Sequence, residues 1–288
     1  MNKPIATVAR TNEILKRFDL NAKKTFGQNF IIEPRIVEKI AESSQCQDGA
    51  AIEIGPGIGA LTEQLALRAR HVTCYEIDER LREVLAYSLE EYDNIEIIFE
   101  DFLNCDLKTK VTELKEKYGK VVIAANLPYY ITTALLFKIF EAKVPLDAIT
   151  VMMQKEVADR FTAKVSTKDY NALSIISSVY YDCVPVMKIP RTIFNPKPNV
   201  DSAVIQFRVK QNPLNIEDEQ GFFEMVKACF KQRRKTIYNN YREYLKDSDL
   251  AQEILNEAGI ELSARAETCT MDDFIRLKGV QDEKKSIR

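Results

Sequence analysis

The stretch EIGPGIGALTEQLA, residues 53–66, joins the end of an apolar run to three glycines and the start of a helical pattern. The run AAIEIG at 50–55 is typical of a buried strand, and the segment after the glycines is typical of a helix. Glycines at this point allow a tight turn and a close approach by a ligand, while the helix presents free N–H groups at its start. Taken alone, the spacing also fits a dinucleotide-binding turn or a turn that holds no ligand.

Strand-like and helical segments alternate along the rest of the first two thirds of the chain. The further strand candidates lie at 71–78, 95–101, 120–126, 148–154, 179–186 and 203–209. Helical patterns separate the first five strands, which predicts an α/β fold with a mostly parallel, doubly wound, Rossmann-like sheet. The last two strands are joined by a proline-rich loop without a helix, so we expect them to form an antiparallel hairpin at the sheet edge.

The C-terminal part of the chain has a different pattern. KQNPLNIEDEQ at 210–220 has the composition of a linker. Beyond it, the segments around 221–246, 248–259 and 271–278 have helical periodicity, and we find no strand signal there. The sequence therefore predicts two domains, a sheet domain over residues 1–209 and a small all-helical domain over residues 210–288.

Two acidic residues near strand ends indicate which cofactor the glycine turn serves. Glu76 lies near the end of the second strand, 21 residues after Gly55, where a carboxylate can accept hydrogen bonds from both ribose hydroxyls of an adenosine. Proteins that bind NAD and proteins that bind S-adenosylmethionine both use a ribose-binding carboxylate at this position. Asp101 ends the third strand in FEDF, where it can accept from an adenine amino group. The two acids together favour S-adenosylmethionine over NAD.

The stretch IAANLPYYITT at 123–133 ends the fourth strand with a candidate site for an amino group. The Asn126 side-chain oxygen and the Leu127 carbonyl can accept the two N–H bonds of an exocyclic adenine amine. Pro128 fixes the backbone φ angle there, and Tyr129 can stack on the base. Catalysis by positioning needs no strong base, which agrees with His71 being the only histidine. The alternative is a strand-to-helix turn with an asparagine cap and a core tyrosine.

Composition limits the other function classes. Net charge is −2, but two clusters are basic, residues 1–24 with Lys23 and Lys24 at their end, and the run Arg233, Arg234 and Lys235. Local basic clusters attract phosphates whatever the net charge. The six cysteines form no C-x-x-C pair, so we expect reduced thiols in the cytoplasm and no structural zinc site. No apolar run is long enough to span a membrane.

Several long motifs, in order, resemble one family over nearly the whole chain. They are KKTFGQNFI at 23–31, EIGPGIGALT, YEID, EDF, NLPYYITT, IFNPKPNVDSAVIQF and FKQRRKTIYNN. This chain resembles the ribosomal RNA adenine dimethyltransferases, and most closely their small-subunit branch. The resemblance implies a class I S-adenosylmethionine-dependent methyltransferase sheet followed by a helical RNA-recognition domain.

The resemblance also assigns roles to individual residues. It implies cofactor contacts at Asn29, Ile31, Gly55, Gly57, Glu76, Asp101 and Asn126. It implies adenine handling by Asn126, Leu127, Pro128 and Tyr129, with Phe194 as a second stacking face. We expect RNA phosphates to contact Lys23, Lys24, Arg233, Arg234 and Lys235.

The reaction implied is transfer of two methyl groups to N6 of each of two adjacent adenosines near the 3′ end of 16S rRNA. The expected partner is 16S rRNA in an immature 30S subunit, the expected state a monomer, and no membrane is involved. Methylation of large-subunit rRNA or DNA stays an alternative, as does a chiefly non-catalytic role in ribosome assembly. The intact glycine loop and NLPY favour retained chemistry, because a pure binding protein needs neither.

Overall fold

The computed structural model describes residues 3–20 and 29–287, which form two compact units. The first unit contains Met1–Ala158 and Cys183–Val209, and the second contains Asp159–Asp182 and Lys210–Arg288. The sequence predicted one boundary after residue 209, so the grouping of residues 159–182 with the C-terminal unit differs from that prediction. The chain passes from one unit to the other at three points. Two of these points lie inside a helix and a strand, where the sequence has no linker composition.

The sheet strands match the seven predicted ones, with small shifts at their ends. The strands are β1 (Phe30–Ile31), β2 (Ala50–Ile54), β3 (His71–Glu76), β4 (Ile95–Phe99), β5 (Val121–Asn126), β6 (Ala148–Gln154), β7 (Tyr181–Ile189), β8 (Phe194–Asn195) and β9 (Ser202–Val209). β1 and β8, which the sequence did not predict, form a separate antiparallel pair. Two-residue strands are too short to leave a periodic signal.

The main sheet has the order β4–β3–β2–β5–β6–β9–β7. Its pairs from β4 to β6 are parallel, and β9 runs antiparallel to β6. The chain extends the sheet from β2 toward β4 and then, on the other side, from β5 outward, so the strand order reverses between β2 and β5. In open α/β sheets, ligands bind at the carboxyl ends of the strands beside such a reversal.

Helices cover the sheet in the first unit. They are α1 (Val8–Arg17), α2 (Pro34–Ser43), α3 (Ala60–Ala66), α4 (Arg82–Ser88), α5 (Leu107–Tyr118) and α6 (Thr132–Glu141). The next helix, α7 (Lys155–Phe161), has residues in both units. Every residue of β2 is buried, as expected for a central parallel strand between helical layers. The backbone N–H of Ile5 donates to the Glu63 carboxylate at 3.1 Å and so ties the segment before α1 to α3.

The described part of the C-terminal region is helical, as predicted. Its helices are α9 (Glu219–Cys229), α10 (Ile237–Leu245), α11 (Ser248–Glu257) and α12 (Met271–Ile287). The second unit also contains α8 (Ala172–Tyr180), which the sequence did not predict. The predicted segment 221–246 is two helices, because Thr236 accepts a hydrogen bond from the Asn239 N–H and starts α10 after a turn. Among the residues described, no helix has the length and apolar composition that crossing a membrane requires.

Candidate active site

The glycine loop after β2 adopts a backbone conformation that other residues rarely take. Gly55 has φ +70° and Gly57 has φ +60°. A Cβ on Gly55 would have no atom within 4 Å, so the backbone at this position faces open space. A Cβ on Gly57 would lie 3.4 Å from the Phe30 ring. The loop therefore forms a cradle at the carboxyl end of β2, lined by backbone instead of side chains.

Glu76, the last residue of β3, has its carboxylate fixed beside this loop. Its Oε2 accepts a hydrogen bond from the Gly57 N–H at 3.2 Å, and its Oε1 accepts one from the Asp78 N–H at 2.9 Å. Burial raises the pKa of Glu76, and these two backbone hydrogen bonds oppose that rise. Both bonds orient the carboxylate before any ligand arrives.

Asp101 lies two residues beyond β4 in a short turn. Its Oδ1 accepts a hydrogen bond from the Leu103 N–H at 3.0 Å. The neighbouring Phe102 ring is buried and meets the Tyr75 ring edge-on, with centroids 5.3 Å apart. The turn thus places a half-buried carboxylate next to an apolar wall, an arrangement that suits a planar base with a polar edge.

Asn126 ends β5 on the other side of the strand reversal. Its side chain is half-buried and makes no hydrogen bond to any residue that the structure describes. Buried polar groups in proteins are nearly always paired. A half-buried carboxamide without a protein partner at a strand end is therefore available to a ligand.

The turn after Asn126 is held from both sides. The Leu127 N–H donates to the Met152 carbonyl at 3.0 Å, and the Pro128 carbonyl accepts from the Thr132 hydroxyl at 2.9 Å. The Leu127 carbonyl accepts no hydrogen bond from the described residues. Two acceptors, the carboxamide oxygen of Asn126 and this carbonyl, are thus left free on one rigid turn, as the predicted amino-group site requires. We call this pair of acceptors the clamp.

The two tyrosines of NLPYY differ in environment. The Tyr129 hydroxyl lies 2.6 Å from the Ser202 hydroxyl, and its ring is half-buried. Tyr130 is 55% exposed, and its hydroxyl makes no hydrogen bond within the described part of the chain. Burial, reinforced by the negative charges of Asp101 and Glu76, raises the pKa of Tyr130, which places this side chain in the field of both acids.

One cavity in the first unit brings these elements together. Its empty space, including the open mouth, is about 1030 Å³, a size suited to a small organic ligand. The predicted residues that line it are Asn29, Ile31, Gly55, Gly57, Glu76, Asp101, Asn126, Leu127, Pro128 and Tyr129. Groups that lie far apart in sequence thus share one site at the strand reversal.

Of the residues predicted to contact the cofactor or the target base, Phe194 is the one that does not line the cavity. It is 3% exposed and belongs to the hydrophobic core, and its backbone lies opposite Ile31 in the β1–β8 pair. Its strand partner Ile31 lines the cavity. A second stacking face at Phe194 stays a prediction.

Sequence analysis missed Glu53, which also lines the cavity. It is almost fully buried near the end of β2, and burial raises its pKa to about 8. The Cys74 thiol lies 3.6 Å from its Oε2. An acid inside an otherwise apolar buried strand was the available signal. Phe30, Ile77 and Tyr130 line the cavity as well and were not predicted.

Comparison with known proteins agrees with this geometry. The sequence pattern of the family described as "Ribosomal RNA adenine dimethylase" matches residues 19–280. The chain belongs to the ribosomal RNA adenine dimethylase family.

Relatives within the family are similar over nearly their whole length. "Ribosomal RNA small subunit methyltransferase A" of Staphylococcus epidermidis is 46% identical, with 96% of this chain and 95% of that protein covered. The protein of the same name from a Geobacillus species is 47% identical, with 96% and 97% covered. The predicted family and the prediction of an rRNA methyltransferase are thereby confirmed.

Solved structures confirm the predicted fold class. The 23S rRNA methyltransferase ErmE is 28% identical with a TM-score of 0.66, and 88% of this chain and 100% of that chain are covered. A dimethyladenosine transferase from Plasmodium falciparum has a TM-score of 0.73 at 24% identity, covering 88% and 98%. This member of the dimethylase family therefore has the α/β fold of S-adenosylmethionine-dependent methyltransferases.

The basic residues predicted to contact RNA differ in whether their side chains already have partners in the protein. The Arg233 guanidinium donates to the Lys168 carbonyl, and Lys235 pairs with Glu243 at 2.8 Å. Arg234 is exposed and makes no ion pair with the described residues. Lys23 and Lys24 lie outside the described residues. In this family member, Arg234 is thus the cation of the 233–235 run that is most available to a phosphate.

Proposed function

We propose that this chain transfers methyl groups from S-adenosylmethionine to N6 of two adjacent adenosines near the 3′ end of 16S rRNA. Its substrate is the immature 30S subunit, which it meets in the cytoplasm as a monomer. The observation that carries the proposal is the pair of free acceptors, the Asn126 carboxamide oxygen and the Leu127 carbonyl, on a rigid turn that lines the cavity.

The residues present fit the cofactor. The Gly55 backbone offers a cradle that a Cβ would fill, and Glu76 offers a carboxylate already oriented by two backbone N–H groups. Glu76 would accept from the ribose hydroxyls and Asp101 from the adenine amino group. S-adenosylmethionine, when bound, supplies an electrophilic methyl group on a sulfonium sulfur.

The chain's own contribution to the chemistry is positioning. An adenine amine is a poor nucleophile because its lone pair is delocalised into the ring. Acceptance of its two N–H bonds by Asn126 and Leu127 favours a tetrahedral nitrogen and directs the lone pair to one side. Pro128 and the Thr132 hydroxyl keep the acceptors in place, so little reorganisation is needed at the moment of reaction.

The target base must leave its stack to enter this cavity. Extrusion costs a few kcal/mol in a duplex and less in a single strand or at a distorted pair. The Tyr129 ring can stack on the extruded base and recover part of that free energy. We therefore expect the substrate adenosines to lie in a loop or a distortable segment.

The helical unit would recognise RNA through Arg233, Arg234 and Lys235, together with Lys23 and Lys24 from the N-terminal region. Contacts with phosphates fix register and orientation and carry no sequence information by themselves. Under this proposal, residues 1–209 hold the catalytic domain and residues 210–288 recognise the ribosomal particle.

The test compares substrates. The purified protein is incubated with methyl-labelled S-adenosylmethionine and, separately, with 30S subunits lacking these methyl groups, with 50S subunits and with duplex DNA. We expect label in 16S rRNA of the 30S sample, and mass spectrometry of its nuclease fragments to give dimethyladenosine at two adjacent positions. Label confined to 50S subunits or DNA would contradict the substrate assignment. Binding to 30S subunits without label would favour the assembly-factor alternative.

A further inference from the structure

Ser202 lies in the motif IFNPKPNVDSAVIQF but was given no role in the site, yet its side chain contacts Tyr129 of NLPYYITT. Its hydroxyl lies 2.6 Å from the Tyr129 hydroxyl, and Ser202 has no exposed surface. Ser202 is the first residue of β9, and its backbone lies opposite Gln154 at the end of β6. The serine is therefore fixed in the sheet and offers a rigid anchor.

We propose that Ser202 is a positioning residue that holds the Tyr129 ring in the orientation needed to stack on the target adenine. This inference rests on the proposed function. Tyr129 follows Pro128, whose φ is fixed by its ring, and the turn is closed by the Thr132 hydroxyl. The tyrosine is thus held at its backbone and at its hydroxyl, which leaves its two side-chain torsions little freedom.

Comparison with the neighbouring Tyr130 shows the effect of the hydrogen bond to Ser202. Tyr130 sits on the same turn and is 55% exposed, without a hydrogen bond to its hydroxyl from the described residues. Burial raises the pKa of Tyr129, so its hydroxyl keeps its proton at neutral pH and the hydrogen bond to Ser202 persists. Of the two adjacent rings, only that of Tyr129 is fixed by a hydrogen bond at its hydroxyl among the described residues.

A ring held in advance lowers the cost of capturing an extruded base, because its side-chain entropy is lost on folding and not on binding. Loss of the anchor should leave the acceptors at Asn126 and Leu127 intact. Loss of the hydrogen bond to Ser202 should therefore lower the fraction of bound substrate whose adenine is stacked in position for methyl transfer.

A double-mutant cycle tests this. Tyr129→Phe keeps the ring and removes its oxygen, Ser202→Ala removes the partner, and a third variant carries both changes. With unmethylated 30S subunits, we expect each single change to lower kcat about three- to tenfold, the range for loss of a neutral hydrogen bond. The double variant should be no slower than either single one, and the KM for S-adenosylmethionine should stay unchanged.

Tyr118→Phe, at the C-terminal end of α5 and outside the cavity lining, is the control for loss of a tyrosine oxygen. Unchanged kcat in both single variants would overturn the inference, and so would effects that multiply in the double variant. A fall in Tm that accounts for the lost turnover, with the KM for cofactor raised as well, would also overturn it, because that indicates a merely structural bond. Failure of the wild-type protein to methylate 30S subunits would instead reject the proposed function, and the inference with it.

Discussion

The Glu76 carboxylate and the Gly57 N–H are joined by a hydrogen bond of 3.2 Å, which links the end of β3 to the loop after β2. Glu76 and Gly57 are 19 residues apart in sequence, and this bond joins the acid to the glycine loop. The donor is the backbone N–H of a glycine whose φ is +60°. The bond explains how a buried carboxylate keeps a fixed orientation in a cavity built for a ligand.

The first prediction concerns the clamp. Asn126→Ala should lower methylation of 30S subunits about 100- to 1000-fold, the usual loss when one preorganised catalytic hydrogen bond is removed. Binding of S-adenosylmethionine, measured by calorimetry, should weaken much less. Asn256→Ala, an exposed asparagine in α11, is the control and should leave both unchanged. Turnover within a few-fold of wild type in Asn126→Ala would reject the clamp.

The second prediction separates backbone strain from cofactor binding. Gly55 and Gly259 have nearly equal φ, +70° and +71°, and a Cβ on either would meet no atom within 4 Å. Substitution of either by alanine should cost about 1–2 kcal/mol of unfolding free energy. Only Gly55→Ala should weaken S-adenosylmethionine binding, by about tenfold or more, because its Cβ enters the cavity. Equal cofactor affinity in the two variants would show that Gly55 does not contact the ligand.

The third prediction is a pH dependence caused by Glu53. Its pKa is about 8 in the folded protein because of burial, whereas an exposed glutamate titrates near 4.5. Between these values the folded state binds the extra proton, so stability falls as pH rises from about 4.5 to 8, by up to about 1.4 kcal/mol per pH unit. Below 4.5 the acid is protonated in both states and the slope disappears.

Glu53→Gln should remove this slope, because the amide stays neutral. Urea unfolding at pH 5, 7 and 9 is the measurement. We expect the variant to gain stability relative to wild type from pH 5 to pH 9. A wild-type curve as flat as that of the variant would mean that Glu53 ionises normally in the folded protein.

The fourth prediction concerns the basic turn between α9 and α10. Arg234→Ala should weaken binding to 30S subunits and lower the slope of log K against log salt by about one unit per lost phosphate contact. Lys284→Ala is the control, since Lys284 already pairs with Glu253 and Glu257 at 2.7 and 2.8 Å. An equal salt dependence in both variants would remove Arg234 from the interface.

The fifth prediction concerns Glu243 in α10, whose substitution should strengthen RNA binding. Glu243 pairs with Lys235 at 2.8 Å and lies 3.7 Å from Lys231. Glu243→Gln frees two cations, so affinity for 30S subunits should rise at low salt and converge with wild type at high salt, where charges are screened. Unchanged affinity in this variant at low salt would show that these cations do not contact RNA.

Much of the catalytic unit was accessible from the sequence because its signals are local. Each parallel strand is a short apolar run, and each functional group follows a strand end, so Gly55, Glu76, Asp101 and Asn126 could be assigned to one edge of the sheet before any coordinates were known. The carboxyl ends of parallel strands meet there by construction. The lining of one cavity by all four agrees with that reasoning.

What the sequence determined by itself is therefore the chain order of the seven strands of the main sheet, the glycine turn and the identity of the groups at the strand ends. Only the tertiary structure decided that Phe194 packs into the core, that residues 159–182 group with the C-terminal unit, that Glu53 lies beside the ligand cavity and that Ser202 meets Tyr129. These facts depend on contacts between residues distant in sequence. Local periodicity reports which face of an element is apolar, but not which partner covers it.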